Sequence, residues 1–266
     1  SSTVVGNFMS DIWHKYQAVE SEIHYGRDPS AIEAHYGAFQ NQGFYEDGLF
    51  SLQHRDFSQN PTFNKAYEMG VSNATSKGVD PHIRWRARIF EYLLKRQLPG
   101  KAIELGTAHG FMFYFALNKF TLDEFDFKTS EIYLFDKFDS HTVDCENGVV
   151  LNEINSEYAS DVENTRKRFA DFPEVTCIQG LIPEALSTID TSSISFLHID
   201  LNAAQPEIDA LRLLWDNLLP NGIVLLDDYG FPTFASSQVA HASLSKELGY
   251  EILGLPTGQG LIMKWN

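Results

Sequence analysis

Three aspartates carry much of the chemistry this sequence offers. Asp200 closes the apolar run Ile194–Ile199 in His198-Ile199-Asp200-Leu201-Asn202. Asp227 and Asp228 close a second run in Leu225-Leu226-Asp227-Asp228-Tyr229-Gly230. Runs of this kind read as strands, and open α/β sheets bind ligands beyond the carboxyl ends of their strands. Clustered carboxylates raise one another's pKa unless a cation compensates them. An oxygen-only set with no soft partner favours Mg²⁺ over zinc. On a straight strand Asp227 and Asp228 point to opposite faces. They reach one ion only if the chain turns, as Gly230 allows. Otherwise one binds metal and the other caps a helix or takes backbone amides. His198 shares a strand face with Asp200, either as a metal partner or as a packed core residue.

A second constellation is Glu104-Leu105-Gly106-Thr107-Ala108-His109-Gly110, which follows a strand and opens a helix. Gly106 permits a tight turn, and Gly110 lets a ligand approach the helix N-terminus. Two glycines four apart are not the dinucleotide G-x-G-x-x-G pattern. An acid ahead of them repels pyrophosphate but suits a ligand bearing an ammonium group. Asp136 ends the next strand, where it accepts from a ribose diol or is simply solvated. Gln179-Gly180-Leu181 ends the third strand, where an adenine edge would lie. Tyr229 and Gln259 fall near strand ends, as site lining or as structure.

These residues need a scaffold of alternating strands and helices. Strands are expected at Lys101–Leu105, Glu131–Phe135, Val175–Ile178, Ile194–Ile199 and Ile223–Leu226. Helices are expected at Gly110–Phe120, Asn155–Ala170, Gln205–Leu218 and near Ser237–Leu248. A closing hairpin joins Glu251–Leu255 to Leu261–Trp265. Right-handed crossovers then give a mostly parallel sheet covered on both faces. Ahead of it, Pro81 opens a helix through about Arg96. Its apolar side carries Ile83, Ala87, Phe90, Leu93 and Leu94. The face bearing Arg84, Arg86, Arg88, Lys95 and Arg96 is expected to be solvated or an interface. Residues 1–80 form an N-terminal extension with a helix bearing Ile12, Tyr16, Val19 and Ile23. An aromatic stretch without a clean period follows, from Phe39 to Tyr67. The extension packs on the main sheet or a second subunit, or closes over the site as a lid. Residues 81–266 form the main domain.

The chain has 266 residues, 43% of them hydrophobic, and a net charge of −16. Such acidity argues against nucleic acid and against anionic membrane surfaces as partners. Two cysteines with no CxxC pair argue against a zinc knuckle and suit a reducing cytoplasm. No apolar run approaches membrane-spanning length, and no signal peptide is expected. The histidines form no HExxH or HxH metal pattern, and no GxSxG or Cys/His pair points to covalent catalysis.

The blocks Glu104–Gly110, Phe135-Asp136-Lys137-Phe138-Asp139, His198-Ile199-Asp200 and Leu226–Gly230 resemble the macrocin O-methyltransferase family, over roughly residues 80–266. Asn202–Glu207 and Leu255–Leu261 are similar to a less characterised bacterial branch of it. The resemblance implies a class I, Rossmann-like methyltransferase fold that uses S-adenosylmethionine (SAM) and Mg²⁺ to methylate sugar hydroxyls of natural products. It implies that Glu104, Gly106, Thr107 and Gly110 hold the methionine end of SAM, with Asp136 at the ribose. Gly180 and Asp200 complete the cofactor contacts, and Asp200, Asp227 and Asp228 bind the metal. Where the family places a second Asp as general base, this chain has Asn202. The base is then to be sought among Asp139, His141 and the metal-bound carboxylates Asp200, Asp227 and Asp228. The expected activity is metal-assisted O-methylation of a sugar or secondary metabolite by a cytoplasmic homo-oligomer. The alternatives are a SAM-binding partner subunit without chemistry and an NAD-dependent oxidoreductase.

Overall fold

The computed structural model describes residues 44–46, 48–51, 55–74, 80–96, 99–129, 131–138 and 161–265. The expected first helix, Cys145, Asp139 and His141 lie outside them. The chain divides into two compact units, residues 1–55 and 56–266. The described part of the first is a hairpin of β1 (Phe44–Glu46) and β2 (Leu49–Ser51), which pair antiparallel.

The second unit opens with α1 (Pro61–Ala74) and α2 (Arg84–Leu94). Then come β3 (Lys101–Leu105), α3 (Phe111–Leu122), β4 (Ile132–Asp136), α4 (Val162–Arg168) and β5 (Val175–Gln179). The chain continues with β6 (Ile194–Ile199), α5 (Ala204–Leu214), β7 (Leu218–Leu226), α6 (Ala235–Leu248), β8 (Leu253–Gly254) and β9 (Gly260–Met263). The strands form one seven-stranded sheet in the order β5-β4-β3-β6-β7-β9-β8. The first five of these run parallel, and β9 is antiparallel to both β7 and β8. This is the expected mostly parallel sheet with its closing hairpin.

Strand alternation sorts the core into two layers. Ile103, Leu105, Leu197, Ile199, Val224 and Leu226 join Leu211, Leu214 and Leu244 of α5 and α6 in one apolar cluster. On the other face, Phe196 and His198 pack edge-on against Phe90 of α2, which also meets Phe113 of α3. Central strands β3 and β6 are buried along their whole length, so their polar residues Lys101, Glu104, Ser195 and His198 are buried together with the apolar ones.

The aromatic stretch yields a helix that its spacing did not announce. In α1, Phe63 and Tyr67 are buried and stack edge-on against Phe111 and Phe115 of α3. Because the compact unit starts at Asp56, α1 belongs to it. No described helix is long and apolar enough to cross a membrane.

Candidate active site

The second sheet layer carries polar groups as well as rings. Register places His198 directly opposite Glu104 on the neighbouring strand. His198 is wholly buried, with Nδ1 2.9 Å from Glu104 Oε1 and Nε2 3.4 Å from Asp227 Oδ1. Burial alone would lower its pKa. The bonds to Asp227 and Glu104 prevail and push it up to about 10, so the ring is an imidazolium. His198 is therefore a buried, ion-paired core residue. The other oxygen of Glu104 accepts from the Thr107 hydroxyl. Glu104 and Thr107, expected to face the methionine end of a ligand, point inward with their polar atoms engaged.

Arg86 corrects the expectation for α2. It is not on a solvated face: it is 8% exposed, in line with Phe90 one turn on. Its Nη2 lies 2.6 Å from the main-chain oxygen of Asp227, 3.1 Å from Asp227 Oδ2 and 2.8 Å from Asp228 Oδ1. The ring of Phe231 flanks the guanidinium at 4.9 Å. Gln259, also fully buried, donates to Asp227 Oδ1 at 3.0 Å and accepts from Thr257. Burial would raise the Asp227 pKa, but Arg86 and His198 hold it well below the ordinary range. The neighbouring Arg84 and Arg88 pair instead with Asp80 and with Asp56 and Glu91.

The other two aspartates differ. Burial and the charge of Asp227 push Asp228 up to about 6 against the pull of Arg86. Burial, then Asp227 and Asp228, raise the Asp200 carboxyl well above its usual value. Asp200 sits just past β6, partly exposed. Its backbone amide bonds Leu105, but its carboxyl takes no hydrogen bond from any described residue. Of the three acids it alone has both carboxyl oxygens unengaged by described residues; Asp228 has its Oδ1 bonded to Arg86 and Asp227 has both oxygens bonded.

The loops beyond the strands are held in uncommon backbone conformations. Ala108, Phe138 and Asn202 all have positive φ, each two or three residues past a strand end. Such residues cluster at functional sites because the surroundings must sustain the strain. Asp136 sustains two of them: its Oδ2 accepts from Ala108 N and its Oδ1 from Phe138 N, both at 2.8 Å. Asn202, with φ 55°, is a residue type that tolerates this region.

The glycines are required by the fold itself. A Cβ on Gly106 would come 1.8 Å from the carbonyl oxygen of Asp200. One on Gly110 would strike the Phe169 ring at 2.5 Å, and one on Gly180 would meet Ala185 at 2.7 Å. Gly110 is also the left-handed N-cap of α3, which has no side-chain cap. The first amides of α3 are thus left for a ligand. Tyr229 packs its ring over Gly260 of the hairpin.

The three aspartates do converge, but not as an open oxygen set. Among the described residues, no three His, Cys, Asp or Glu side chains are arranged to hold a metal ion. Each polar atom of Asp227 is already bonded, and Arg86 occupies the space between Asp227 and Asp228. The residues as placed do not fit Mg²⁺. Sequence reasoning missed Arg86 and under-rated Gln259. The signal was present for Arg86: it lies within the apolar stripe of its helix, three residues past Ile83 and four before Phe90. A cation there demands buried acids.

Residues 103–229 match a family described as a methyltransferase domain. No curated protein matches the chain in sequence. Among solved structures, the O-methyltransferase NovP is similar with a TM-score of 0.59 and 16% identity, over 77% of this chain and 95% of that one. The calicheamicin methyltransferase CalS11 gives 0.53 and 14%, over 83% and 97%. The methyltransferase PaMTH1 of Podospora anserina, solved with S-adenosylhomocysteine, gives 0.53 and 14%, over 90% and 96%. The chain has the class I methyltransferase fold, with a methyltransferase-domain match spanning the strands that carry Glu104, Asp136, Asp200 and Asp227.

Proposed function

We propose that this chain is a SAM-dependent O-methyltransferase acting on a hydroxyl of a small molecule, a sugar or a natural-product or polysaccharide precursor. The reading rests on one observation above others: the methyltransferase-domain match ends its strands in a partly exposed carboxylate, Asp200, that no described residue engages. SAM, when bound, supplies an electrophilic methyl group. The uncapped N-terminus of α3 and the partly exposed Asp136 suit its polar parts, with loop residues Gly106 to Gly110 between them. Gly180, past β5, lies in the same row of strand ends.

In this reading Asp200 takes the proton of the acceptor hydroxyl as the oxygen attacks. A carboxyl held above its usual pKa by burial and by neighbouring acids is a stronger base than a solvated one. Asn202 cannot take a proton, and its left-handed backbone assigns it to shaping the loop after β6. Glu104, His198 and Asp227 fix the floor beneath Asp200. Orientation of two reactants in a closed site supplies on the order of 7–11 kcal/mol. A sugar acceptor of the macrocin type follows from the sequence resemblance.

Calorimetry with SAM, followed by assays on a panel of sugars, sugar nucleotides and polyols, tests the reading. SAM binding with an O-methylated product supports it. SAM binding with no product from any acceptor or cell extract favours a non-catalytic subunit. Tight NAD binding without SAM binding would revive the oxidoreductase.

A further inference from the structure

Arg86 Nη2 is surrounded by three oxygens of Asp227 and Asp228 at 2.6–3.1 Å. That is the position a cation takes in an oxygen cage. The guanidinium comes from α2, 141 residues upstream of Asp227, and it does not deprotonate. Its Nη2 is held by two carboxylates and one main-chain carbonyl, with the Phe231 ring against the guanidinium. On the far side of Asp227, His198 and Gln259 occupy the remaining oxygen. A divalent ion that used all three aspartates would have to break one of the Asp227 bonds and sit beside a positive charge already in place.

We infer that Arg86 is the built-in cation of this site, standing where a three-aspartate set would otherwise hold a divalent metal, so that the chain works without one. This rests on the methyl-transfer reading for its catalytic meaning, but the charge relationship stands apart from it. Arg86 is a positioning residue. It offsets part of the charge of Asp227 and Asp228 and orients both, which leaves Asp200 as the carboxylate with neither oxygen engaged by a described residue. A fixed guanidinium also needs no loading, so occupancy of the site would not vary with metal supply.

Mn²⁺ titration of the whole chain, followed by electron paramagnetic resonance of the free ion, tests this directly. The unaltered protein should leave Mn²⁺ free at concentrations of about 1 mM, weaker than ordinary protein sites for hard cations. Arg86→Gln removes the charge and should bind one Mn²⁺ about tenfold or more tighter. The double variant Arg86→Gln with Asp228→Asn should lose that gain. An arginine with only a structural role would give a weakened fold and no new Mn²⁺ site. Mn²⁺ binding by the unaltered protein that disappears in Asp228→Asn would overturn the inference, as would a folded Arg86→Gln that binds none. If Arg86→Gln does not fold by circular dichroism, the unaltered protein and Asp228→Asn still decide. Turnover should be unchanged by EDTA. SAM calorimetry is run separately, so a failure to bind SAM sinks the methyl-transfer reading while the Mn²⁺ titration judges Arg86.

Discussion

His198 Nδ1 sits 2.9 Å from Glu104 Oε1, side by side in the two central strands, with both residues buried. The pair ties the glycine loop after β3 to the aspartates after β6 and β7. It makes stability depend on pH in a definite direction. The His198 pKa is raised from 6.5 to about 10 in the fold. Its contribution is therefore full below pH 6.5, declines as pH rises, and is gone above about 10. Urea unfolding from pH 6 to 10 should show this decline. His198→Gln should be less stable at pH 6 and should lose less between pH 6 and 10. Parallel curves for the two proteins would refute the charged state.

Gly106 and Gly249 both have positive φ, but they differ in surroundings. A Cβ at Gly249 meets nothing within 4 Å, whereas one at Gly106 runs into the Asp200 backbone. Gly249→Ala should cost about 1–2 kcal/mol, the conformational term alone. Gly106→Ala should reach the extreme tail for single substitutions, about 4 kcal/mol or more. Thermal unfolding of the two variants checks the difference, and equal costs would contradict the crossing of backbones at Gly106.

Gln259→Leu keeps volume but removes the donor to Asp227 Oδ1. An aspartate that loses a buried partner costs about 1–3 kcal/mol. Chemical denaturation should show that loss. An unchanged midpoint would mean that Gln259 contributes nothing to the network.

Asp136 holds the left-handed residues Ala108 and Phe138 through one oxygen each. Asp136→Ala releases both loops at the expected cofactor site. SAM affinity should fall by about 10- to 100-fold, the loss of charge-assisted bonds converted to binding. Unaltered calorimetric affinity would remove Asp136 from the site.

Much of the fold was legible because the central strands are buried on both faces. Ile194–Ile199 reads as a largely apolar run and Lys101–Leu105 as a short strand ahead of a glycine turn, and both appear with the expected bounds. Helix α1 was not, because Phe63 and Tyr67 pack into a ring cluster with α3 rather than along a regular apolar stripe. The site shows the same division. Local spacing located the acids at strand ends, and these do gather at one edge. What local spacing could not show is pairing over long separations. Nothing near Arg86 in sequence indicates that it crosses to Asp227 and Asp228, and nothing near Glu104 indicates His198. The roles expected of the glycines shifted for the same reason, since Asp200, Phe169 and Ala185 fill the space their missing side chains leave.

The central claim is that this chain moves a methyl group from SAM to a hydroxyl oxygen with Asp200 as the base. The most direct measurement incubates the protein and its Asp200→Asn variant with methyl-labelled SAM and the acceptor panel, then locates the label by mass spectrometry and NMR. The predicted result is a labelled methyl ether, formed about 10²- to 10⁴-fold more slowly by Asp200→Asn when both proteins are saturated with SAM. Label on carbon or nitrogen, or equal rates for the two proteins, would contradict it.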